Sequence, residues 1–317
     1  MQREIIIPKD EAEWLQMRLQ DVTSTQSPAL FNLSPYLTKF ELYHAKASGL
    51  DLAFEENERM AWGKRLEPVI AAGVAEDEGW KLRKINEYIR LPECRMGSSF
   101  DYEIVCPIRG KGILEVKNVD YFIFDRNWVD EQAPEHIEIQ LQHQLEVKGD
   151  CEWGCIVAFV GGNRPEVITR SRDHDMGAAI RRMVESFWYN VDNKHEPDPD
   201  FDRDGDVIRK LHNGLNDMAD KTGDTDLDAL ASSYISSKAA SREYDRQASN
   251  LSAQIYRRLG NYRGAYTQSF KVTASPVAAS QGMLVTPEMV GTYVGQRKGH
   301  SKLYVREMGK KDAGNAA

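Results

Sequence analysis

Two carboxylates and a lysine with strand-like spacing are the residues of this chain best suited to chemistry. Asp101 and Glu115 begin and end the segment DYEIVCPIRGKGILE, and Lys117 follows two positions later. A turn near Ile108 would bring positions 101 and 115 opposite each other, and alternation along a strand would put Glu115 and Lys117 on one face. Two converging carboxylates with an adjacent ammonium predict a site for a hard divalent cation and a water molecule.

An ordinary surface ion pair on a hairpin is the alternative, because such a triplet often arises by chance. If the site binds a metal, Mg²⁺ suits it, since that ion prefers oxygen ligands and keeps several of its waters. The ion would polarise a phosphodiester and lower the pKa of a bound water. Lys117 would then orient or deprotonate that water and offset charge on the phosphate.

Two helical segments could complete the site. Glu67 ends the segment WGKRLE and could add a third carboxylate, although a solvated helical glutamate is equally compatible with the pattern. In IEIQLQHQL, Gln140 and Gln144 are one turn apart and share a helix face. Amides suit neutral contacts with a phosphate or a metal-bound water; the alternative is an exposed polar stripe.

The elements that must position these residues indicate a mixed α/β domain over residues 1–191. Helical patterns cover residues 9–20, 34–49, 55–75, 134–148 and 176–190, with Pro68 expected to kink or restart the third. Residues 80–117 form short β-rich runs, and the apolar run CIVAFVGG predicts a buried strand. An acidic connector over 192–228 and a C-terminal extension over 229–317 would follow. The extension is predicted to contain a helix over 226–260 and extended pieces near 270–275, 283–290 and 302–307.

Charge is distributed unevenly along this 317-residue chain. Its net charge of −8 would ordinarily argue against nucleic acid as a partner. However, residues 192–228 hold 12 acidic and 5 basic residues, whereas residues 237–312 hold 13 basic and 5 acidic ones. The arginines of the predicted C-terminal helix, Arg242, Arg246, Arg257 and Arg258, could form a solvated face, grip duplex phosphates or dock a partner protein.

Several other signals are weak or negative. No stretch approaches the roughly 20 apolar residues needed to span a bilayer, and the first residues do not read as a signal peptide, so a cytoplasmic protein is expected. The four cysteines lack metal-ligand spacing and are expected to be buried, reduced thiols. Asp200 to Gly205 match the first half of a calcium-binding EF-hand loop, but Leu211 stands where a glutamate is needed, which favours an acidic linker.

Taken in order, these segments resemble the λ-exonuclease/YqaJ-like viral recombinase family of the PD-(D/E)xK nuclease superfamily. The matching motifs are Trp14, Arg18 and Leu19 with the turn Thr23-Ser24-Thr25, Trp62-Gly63-Lys64 with Glu67, Ser99-Phe100-Asp101, Leu114-Glu115-Val116-Lys117, and Gln140-Leu141-Gln142-His143. The resemblance covers roughly residues 10–190. It implies an α/β fold with a PD-(D/E)xK core, in which helices flank a central mixed sheet, followed by a mainly helical C-terminal extension. The chain departs from the family's Pro-Asp-Gly motif at Phe100-Asp101-Tyr102.

The resemblance also implies a metal site. Asp101, Glu115 and the carbonyl of Val116 would ligate Mg²⁺, for which Mn²⁺ would substitute. Lys117 would activate the attacking water. Glu67 and Gln140 would support the metal and the water.

A second implied site would bind the end of the DNA. Arg18, with Ser24 or Thr25, would hold the terminal 5′-phosphate of the strand being digested. An arginine suits that task because its guanidinium recognises phosphate with two parallel hydrogen bonds and stays charged.

The function that follows from the resemblance is a Mg²⁺-dependent 5′-to-3′ exonuclease. It would digest one strand of linear duplex DNA and leave a 3′ single-stranded overhang for a phage-type annealing protein. A homo-oligomer, in the form of a closed ring of three subunits in the cytoplasm of a phage host, is also implied. A structure- or site-dependent endonuclease of the same fold and a non-catalytic DNA-end or recombinase-binding module are the alternatives.

Overall fold

The computed structural model describes residues 2–49, 57–129, 132–212 and 218–274. The chain divides into two compact units, Met1–Ile208 and Arg209–Ala317. The domain boundaries expected at 191 and 228 stay predictions. The extended pieces expected near 283–290 and 302–307 lie outside the described residues.

A five-stranded mixed sheet forms the centre of the first unit. In spatial order its strands are β3 (Lys81–Lys84), β6 (Tyr102–Cys106), β7 (Gly110–Val119), β8 (Trp153–Val160) and β9 (Arg164–Ser171). Neighbouring strands are antiparallel except for β7 and β8, which are parallel. The β-rich runs between 80 and 117 and the buried strand in CIVAFVGG are thereby confirmed.

A smaller sheet of four strands lies in the same unit. Its order is β1 (Glu4–Ile6), β4 (Tyr88–Leu91), β5 (Met96–Ser98) and β2 (Val22–Thr23). The last pair is parallel, with Val22 beside Met96 and Thr23 beside Gly97. This pairing joins the N-terminal Ser/Thr turn to the segment that leads into Asp101.

Helices account for most of the remaining regular structure in the described ranges. They are α1 (Glu11–Gln20), α2 (Ser27–Leu30), α3 (Lys39–Ser48), α4 (Glu58–Asp77), α5 (Tyr121–Asn127), α6 (Glu135–Lys148), α7 (His174–Asp192), α8 (Gly205–Leu211) and α9 (Thr225–Leu259). The helix expected from residue 34 begins only at Lys39, because Thr38 and Glu41 form a reciprocal capping box. Pro68 lies inside α4 without ending it.

The two faces of the five-stranded sheet pack against different helices because side chains alternate along a strand. On one face, Leu114 and Val116 of β7 pack with Ile70, Ala71 and Val74 of α4. On the other, Ile113 and Ile156 join a larger core to which α6 and α7 contribute. The predicted mixed α/β architecture, with helices flanking a mixed sheet, is confirmed.

The acidic segment after α7 belongs to the first unit as far as Ile208. Asp204 is fully buried; one carboxylate oxygen accepts a hydrogen bond from Thr38 Oγ1 at 2.5 Å, and the other accepts one from the Asp200 amide at 2.7 Å. The EF-hand-like aspartates therefore anchor this segment to the N-terminus of α3. In the described ranges, no helix combines the length and apolar character needed to cross a membrane.

The second unit contains α9, in agreement with the helix predicted over 226–260, and a short antiparallel hairpin. The hairpin strands are β10 (Gly264–Tyr266) and β11 (Lys271–Thr273), the latter within the predicted extended piece at 270–275. Nearly every residue of α9 is exposed to solvent, and Leu259 at its end is buried.

Candidate active site

The antiparallel pairing of β6 and β7 brings Asp101 and Glu115 together. Tyr102 pairs with Leu114, so Asp101 enters β6 beside Glu115. The Asp101 carboxylate accepts a hydrogen bond from the Val116 amide at 2.9 Å. Tyr102, which replaces the family's glycine, is buried and packs with the α4 core while the Lys84 ammonium lies 4.5 Å from its ring centre. A large residue after Asp101 is therefore accommodated.

Glu115 is the most heavily bonded carboxylate of the site. One of its oxygens accepts hydrogen bonds from Lys117 Nζ at 2.6 Å and from Gln140 Nε2 at 2.7 Å. The other accepts one from Gln144 Nε2 at 2.7 Å. Lys117 also donates to Gln140 Oε1 at 3.2 Å. The strand alternation predicted for Glu115 and Lys117 and the shared face of Gln140 and Gln144 are both seen here.

Negative charge is concentrated around Asp101. Its burial, followed by the charges of Glu115 and Glu67, raises the pKa of the Asp101 carboxyl above its usual range. Burial lowers the pKa of Lys117, but Glu115 and Asp101 outweigh that effect and raise it overall. The cluster is thus two carboxylates and one ammonium, with a third carboxylate close enough to act on them.

Glu67 occupies a more peripheral position than the other residues. Its carboxylate pairs with Lys84 Nζ at 2.5 Å, and its side chain is 21% exposed. Lys84 lies on β3, and no local pattern in the sequence connects the two residues. Glu67 acts on Asp101 through its charge, whereas its own hydrogen bond is to Lys84.

The donor set at this position fits Mg²⁺. In the described ranges, no group of three or more histidine, cysteine, aspartate or glutamate side chains is arranged to hold a metal ion. The implied set is smaller, two carboxylates and a carbonyl, which suits an ion that keeps several waters. A carboxylate offers about four lone-pair positions, of which Glu115 uses three. A divalent cation would also offset the charge that raises the pKa of Asp101.

Serine hydroxyls connect the predicted phosphate-binding turn to this cluster. Because β2 pairs with β5, Ser98 Oγ lies 2.9 Å from Ser24 Oγ. The next residue, Ser99, accepts a hydrogen bond from Trp14 Nε1 of α1 at 2.8 Å on its hydroxyl, and Gln144 approaches its carbonyl at 3.5 Å. Thr25 is exposed, and its hydroxyl lies 3.2 Å from that of Thr23.

Arg18 stands on α1 in a basic environment. Its guanidinium lies 4.4 Å from the Trp14 ring centre, and within the described part of the chain no hydrogen bond joins it to Ser24 or Thr25. Lys46 Nζ donates to the Arg18 carbonyl at 2.5 Å and to the Asp21 carbonyl at 2.7 Å. Burial, and then the charge of Arg18, lower the pKa of Lys46 to about 7. An anion bound beside Arg18 would favour the protonated form of Lys46, so this half-buried place suits a phosphate.

The other polar residues of α6 have structural partners. Gln142 donates to the Ser171 carbonyl at 3.0 Å and accepts from the Asp173 amide at 2.8 Å. His143 is fully buried with Nε2 3.2 Å from the Gly97 carbonyl, and burial lowers its pKa to about 4. Both residues hold α6 in place beside the cluster.

The cysteines are free thiols, as predicted. Cys94, Cys151 and Cys155 are buried, but the prediction of burial is wrong for Cys106, which is half-exposed at the end of β6. Burial raises the pKa of each of the three buried thiols.

Three residues near the site were missed from the sequence. Gln144, in contrast, was already paired with Gln140 by its helical spacing. Ser98 carried no signal of its own, since its closeness to Ser24 depends on a strand pairing between distant segments. The same is true of Lys46 and Lys84, which reach the site from α3 and β3.

Part of the chain matches a known protein family and a known relative. Residues 13–151 match the YqaJ-like viral recombinase domain. The uncharacterized protein YqaJ of Bacillus subtilis (strain 168) is 27% identical over 178 residues, which are 56% of this chain and 54% of that protein. The chain thus spans about half the length of this relative.

Solved structures of nucleases are similar to part of the chain. An alkaline exonuclease from Laribacter hongkongensis is 20% identical, with 58% of this chain and 93% of that chain covered and a TM-score of 0.47; its complex with dAMP gives a TM-score of 0.49. A phage-related exonuclease from Haemophilus somnus 129PT is 19% identical over 59% of this chain and 88% of that chain, with a TM-score of 0.40.

Proposed function

We propose that this chain, which carries a YqaJ-like viral recombinase domain at residues 13–151, is a Mg²⁺-dependent exonuclease acting on the ends of duplex DNA. The observation that carries the proposal is that Glu115, Lys117 and Gln140 are hydrogen-bonded to one another, while Asp101 is bonded to the Val116 amide between Glu115 and Lys117. When bound by Asp101, Glu115 and the Val116 carbonyl, the ion supplies Lewis-acid polarisation of the phosphodiester and a more acidic water.

The side chains of the cluster have separate tasks. Lys117 orients the attacking water and offers positive charge to the phosphate. Glu115 holds the Lys117 ammonium through a 2.6 Å contact, and Gln140 contacts both of them. Glu67 supports the site from its edge through its charge.

The serine and arginine residues near Trp14 supply the end recognition. Ser24 is tied to Ser98, three residues before Asp101, so a phosphate held at this turn is fixed relative to the cluster. Arg18 adds positive charge on the adjoining side, and Lys46 adds a second charge when it is protonated. This arrangement supports digestion from a 5′-phosphorylated end, leaving a 3′ overhang for an annealing protein. A homotrimeric ring, in the cytoplasm of a phage host, is part of the same proposal.

Linear and circular duplexes test the reaction. Purified protein should degrade 5′-phosphorylated linear DNA in Mg²⁺, release a 5′-end label before a 3′-end label, and lose activity in EDTA. A covalently closed circle should stay intact. Cutting of the circle would establish an endonuclease instead, and DNA binding without metal-dependent cleavage would establish a non-catalytic module.

Substitution of Arg18 tests the phosphate site. Arg18→Ala should lower the rate on 5′-phosphorylated ends by roughly 10- to 100-fold, because a charge-assisted hydrogen bond contributes about 1.5–3 kcal/mol. The rate on 5′-hydroxyl ends should change little. Gln16→Ala, at an exposed position of the same helix, is the control. An equal loss on both kinds of end would show that Arg18 does not read the phosphate.

Substitution of Gln144 tests the second amide on Glu115. Gln144→Ala should lower the turnover number by roughly tenfold, because Glu115 loses a hydrogen bond that fixes one of its oxygens. Gln142→Ala is the matched control, as it lies on the same helix but contacts Ser171 and Asp173. The Gln142→Ala variant should show a larger change in melting temperature than in turnover number. Full activity of the Gln144→Ala variant would show that Gln144 has no role in the site.

A further inference from the structure

Helix α9 carries a seam of apolar side chains that lies exposed among the described residues of its unit, 218–274. Starting at Leu227, seam positions follow at alternating intervals of three and four residues, which place Leu230, Tyr234, Tyr244, Leu251 and Ile255 on one stripe. These six side chains are 38–70% exposed. The remaining four positions of the same spacing are Ser237, Ser241, Ala248 and Arg258. Large apolar or aromatic side chains at six of ten positions with an average spacing of 3.5 residues fit a coiled coil, whose partner is another helix with the same repeat.

We propose that the seam is covered by α9 of a second copy of this chain, packed antiparallel. The seam has a symmetry that fits this partner. When Leu230 is placed opposite Ile255 of the second copy, Tyr234 falls opposite Leu251, and the small Ser237 falls opposite the small Ala248. The same register repeats on the other side of the centre, because both chains are identical. The helix has 35 residues, about 52 Å in length, which provides five layers on each side of the centre of the pair. The other two layers set Ser241 opposite Tyr244 at the centre and Leu227 opposite Arg258 at the end, where the arginine head can reach solvent.

The charges on α9 select the antiparallel direction. At positions that flank the seam, Lys238 of one copy lies within one turn of Asp245 of the other, and the pair occurs twice by symmetry. The first turn contains Asp226 and Asp228, and the last turn contains the basic residues Arg257 and Arg258. An antiparallel pair joins acidic to basic ends, whereas a parallel pair would set like charges side by side.

Mass measurement tests whether the seam holds two copies together. In the absence of DNA, light scattering on the full chain should show that Leu251→Glu halves the molar mass of the wild type, whether the α9 pairs join two single chains or two three-subunit rings. Ala253→Glu, on the opposite side of the same helix, should leave the mass unchanged. Equal helix content by circular dichroism would exclude unfolding of α9. An unchanged mass for Leu251→Glu would overturn the proposal, as would a wild type of one copy or of a single three-subunit ring, including one whose seam is covered by its own chain.

Reversing the charges at positions 238 and 245 tests the antiparallel register. Lys238→Glu places a glutamate against Asp245 of the second copy and should weaken self-association at least tenfold. The double variant Lys238→Glu with Asp245→Lys restores opposite charges and should recover the wild-type mass. Failure of the double variant to recover would overturn the register.

Disulfide trapping distinguishes the two directions. In a Cys106→Ser background, chains with Ser237→Cys should crosslink to chains with Ala248→Cys, because these positions share a layer. Ser237→Cys alone should not crosslink, since its two copies would be about 16 Å apart along the axis, well beyond the roughly 7 Å limit between Cα atoms of a disulfide. Efficient crosslinking of Ser237→Cys alone would indicate a parallel pair and overturn the proposal. The inference does not depend on nuclease activity, which is measured separately.

Discussion

Lys117→Ala is expected to lower the rate of DNA digestion by roughly 10²- to 10⁴-fold, the usual loss when a group that assists proton transfer is removed. The physical reason is the position of its ammonium, 2.6 Å from Glu115 and 3.2 Å from Gln140 beside the Asp101 carboxylate. Without it, the water and the phosphate lose their nearest positive side chain in the hydrogen-bonded cluster. Initial rates on 5′-phosphorylated linear duplex in saturating Mg²⁺ provide the measurement.

Lys111→Ala is the matched control for this substitution. Lys111 lies on the same strand, is exposed, and forms only a surface pair with Asp150 at 3.4 Å. The Lys111→Ala variant should digest DNA at the wild-type rate. Melting temperatures of both variants separate a loss of chemistry from a loss of folding. If Lys117→Ala digested DNA as fast as the wild type, the proposed role of the cluster would be wrong.

Glu146→Ala is expected to destabilise the folded chain by about 3 kcal/mol, the cost of removing one member of a buried ion pair. The Glu146 side chain is 4% exposed and pairs with Arg172 at 2.9 Å and with Arg181. Its removal leaves two guanidinium groups next to each other without their carboxylate. The expected loss of unfolding free energy is at the low end of the usual range because the Arg181 side chain is itself 26% exposed. Urea unfolding at pH 7 measures it.

The control on the same helix is Glu138→Ala. Glu138 pairs with Arg170, but both side chains are about a quarter exposed, so the loss should stay below about 1 kcal/mol. If the free energy of unfolding of Glu146→Ala also lay within about 1 kcal/mol of the wild-type value, Glu146 would not be a buried anchor.

At acidic pH, Glu146 should no longer contribute to the free energy of unfolding. Burial raises the pKa of this carboxyl, but Arg172 and Arg181 outweigh burial and hold the pKa below its usual 4.5. A lowered folded-state pKa means that the contribution is complete above about pH 4.5 and is lost as pH falls through the lower folded-state value. The stability difference between the wild type and Glu146→Gln should therefore shrink below pH 4.5 and stay constant between pH 6 and 8.

The sequence could predict those parts of the site that depend on local periodicity. Strand alternation placed Glu115 and Lys117 on one face, and helical spacing placed Gln140 and Gln144 on one face. The turn between β6 and β7 set the register that brings Asp101 beside Glu115. These relations hold within segments of about fifteen residues, where the backbone geometry of a strand, a hairpin or a helix fixes which side chains are neighbours.

The same local reasoning predicted most helices and strands but misplaced some of their ends. The segment from residue 34 looked helical, yet Ser34 accepts hydrogen bonds from the Tyr36 and Leu37 amides and delays the helix until Lys39. A four-residue helix, Ser27–Leu30, also lies between the helical segments predicted over 9–20 and 34–49. Short side-chain-to-backbone hydrogen bonds compete with helix formation and leave little trace in hydrophobic patterning.

By itself, then, the sequence determined which residues could do chemistry and which of them share a face. Only the tertiary structure decided that Gln144 belongs to the cluster, that Glu67 pairs with Lys84, and that Ser24 lies beside Ser98. These contacts join segments separated by 17 to 74 residues. Their formation depends on how strands pair and helices pack, which no periodicity within a single segment specifies.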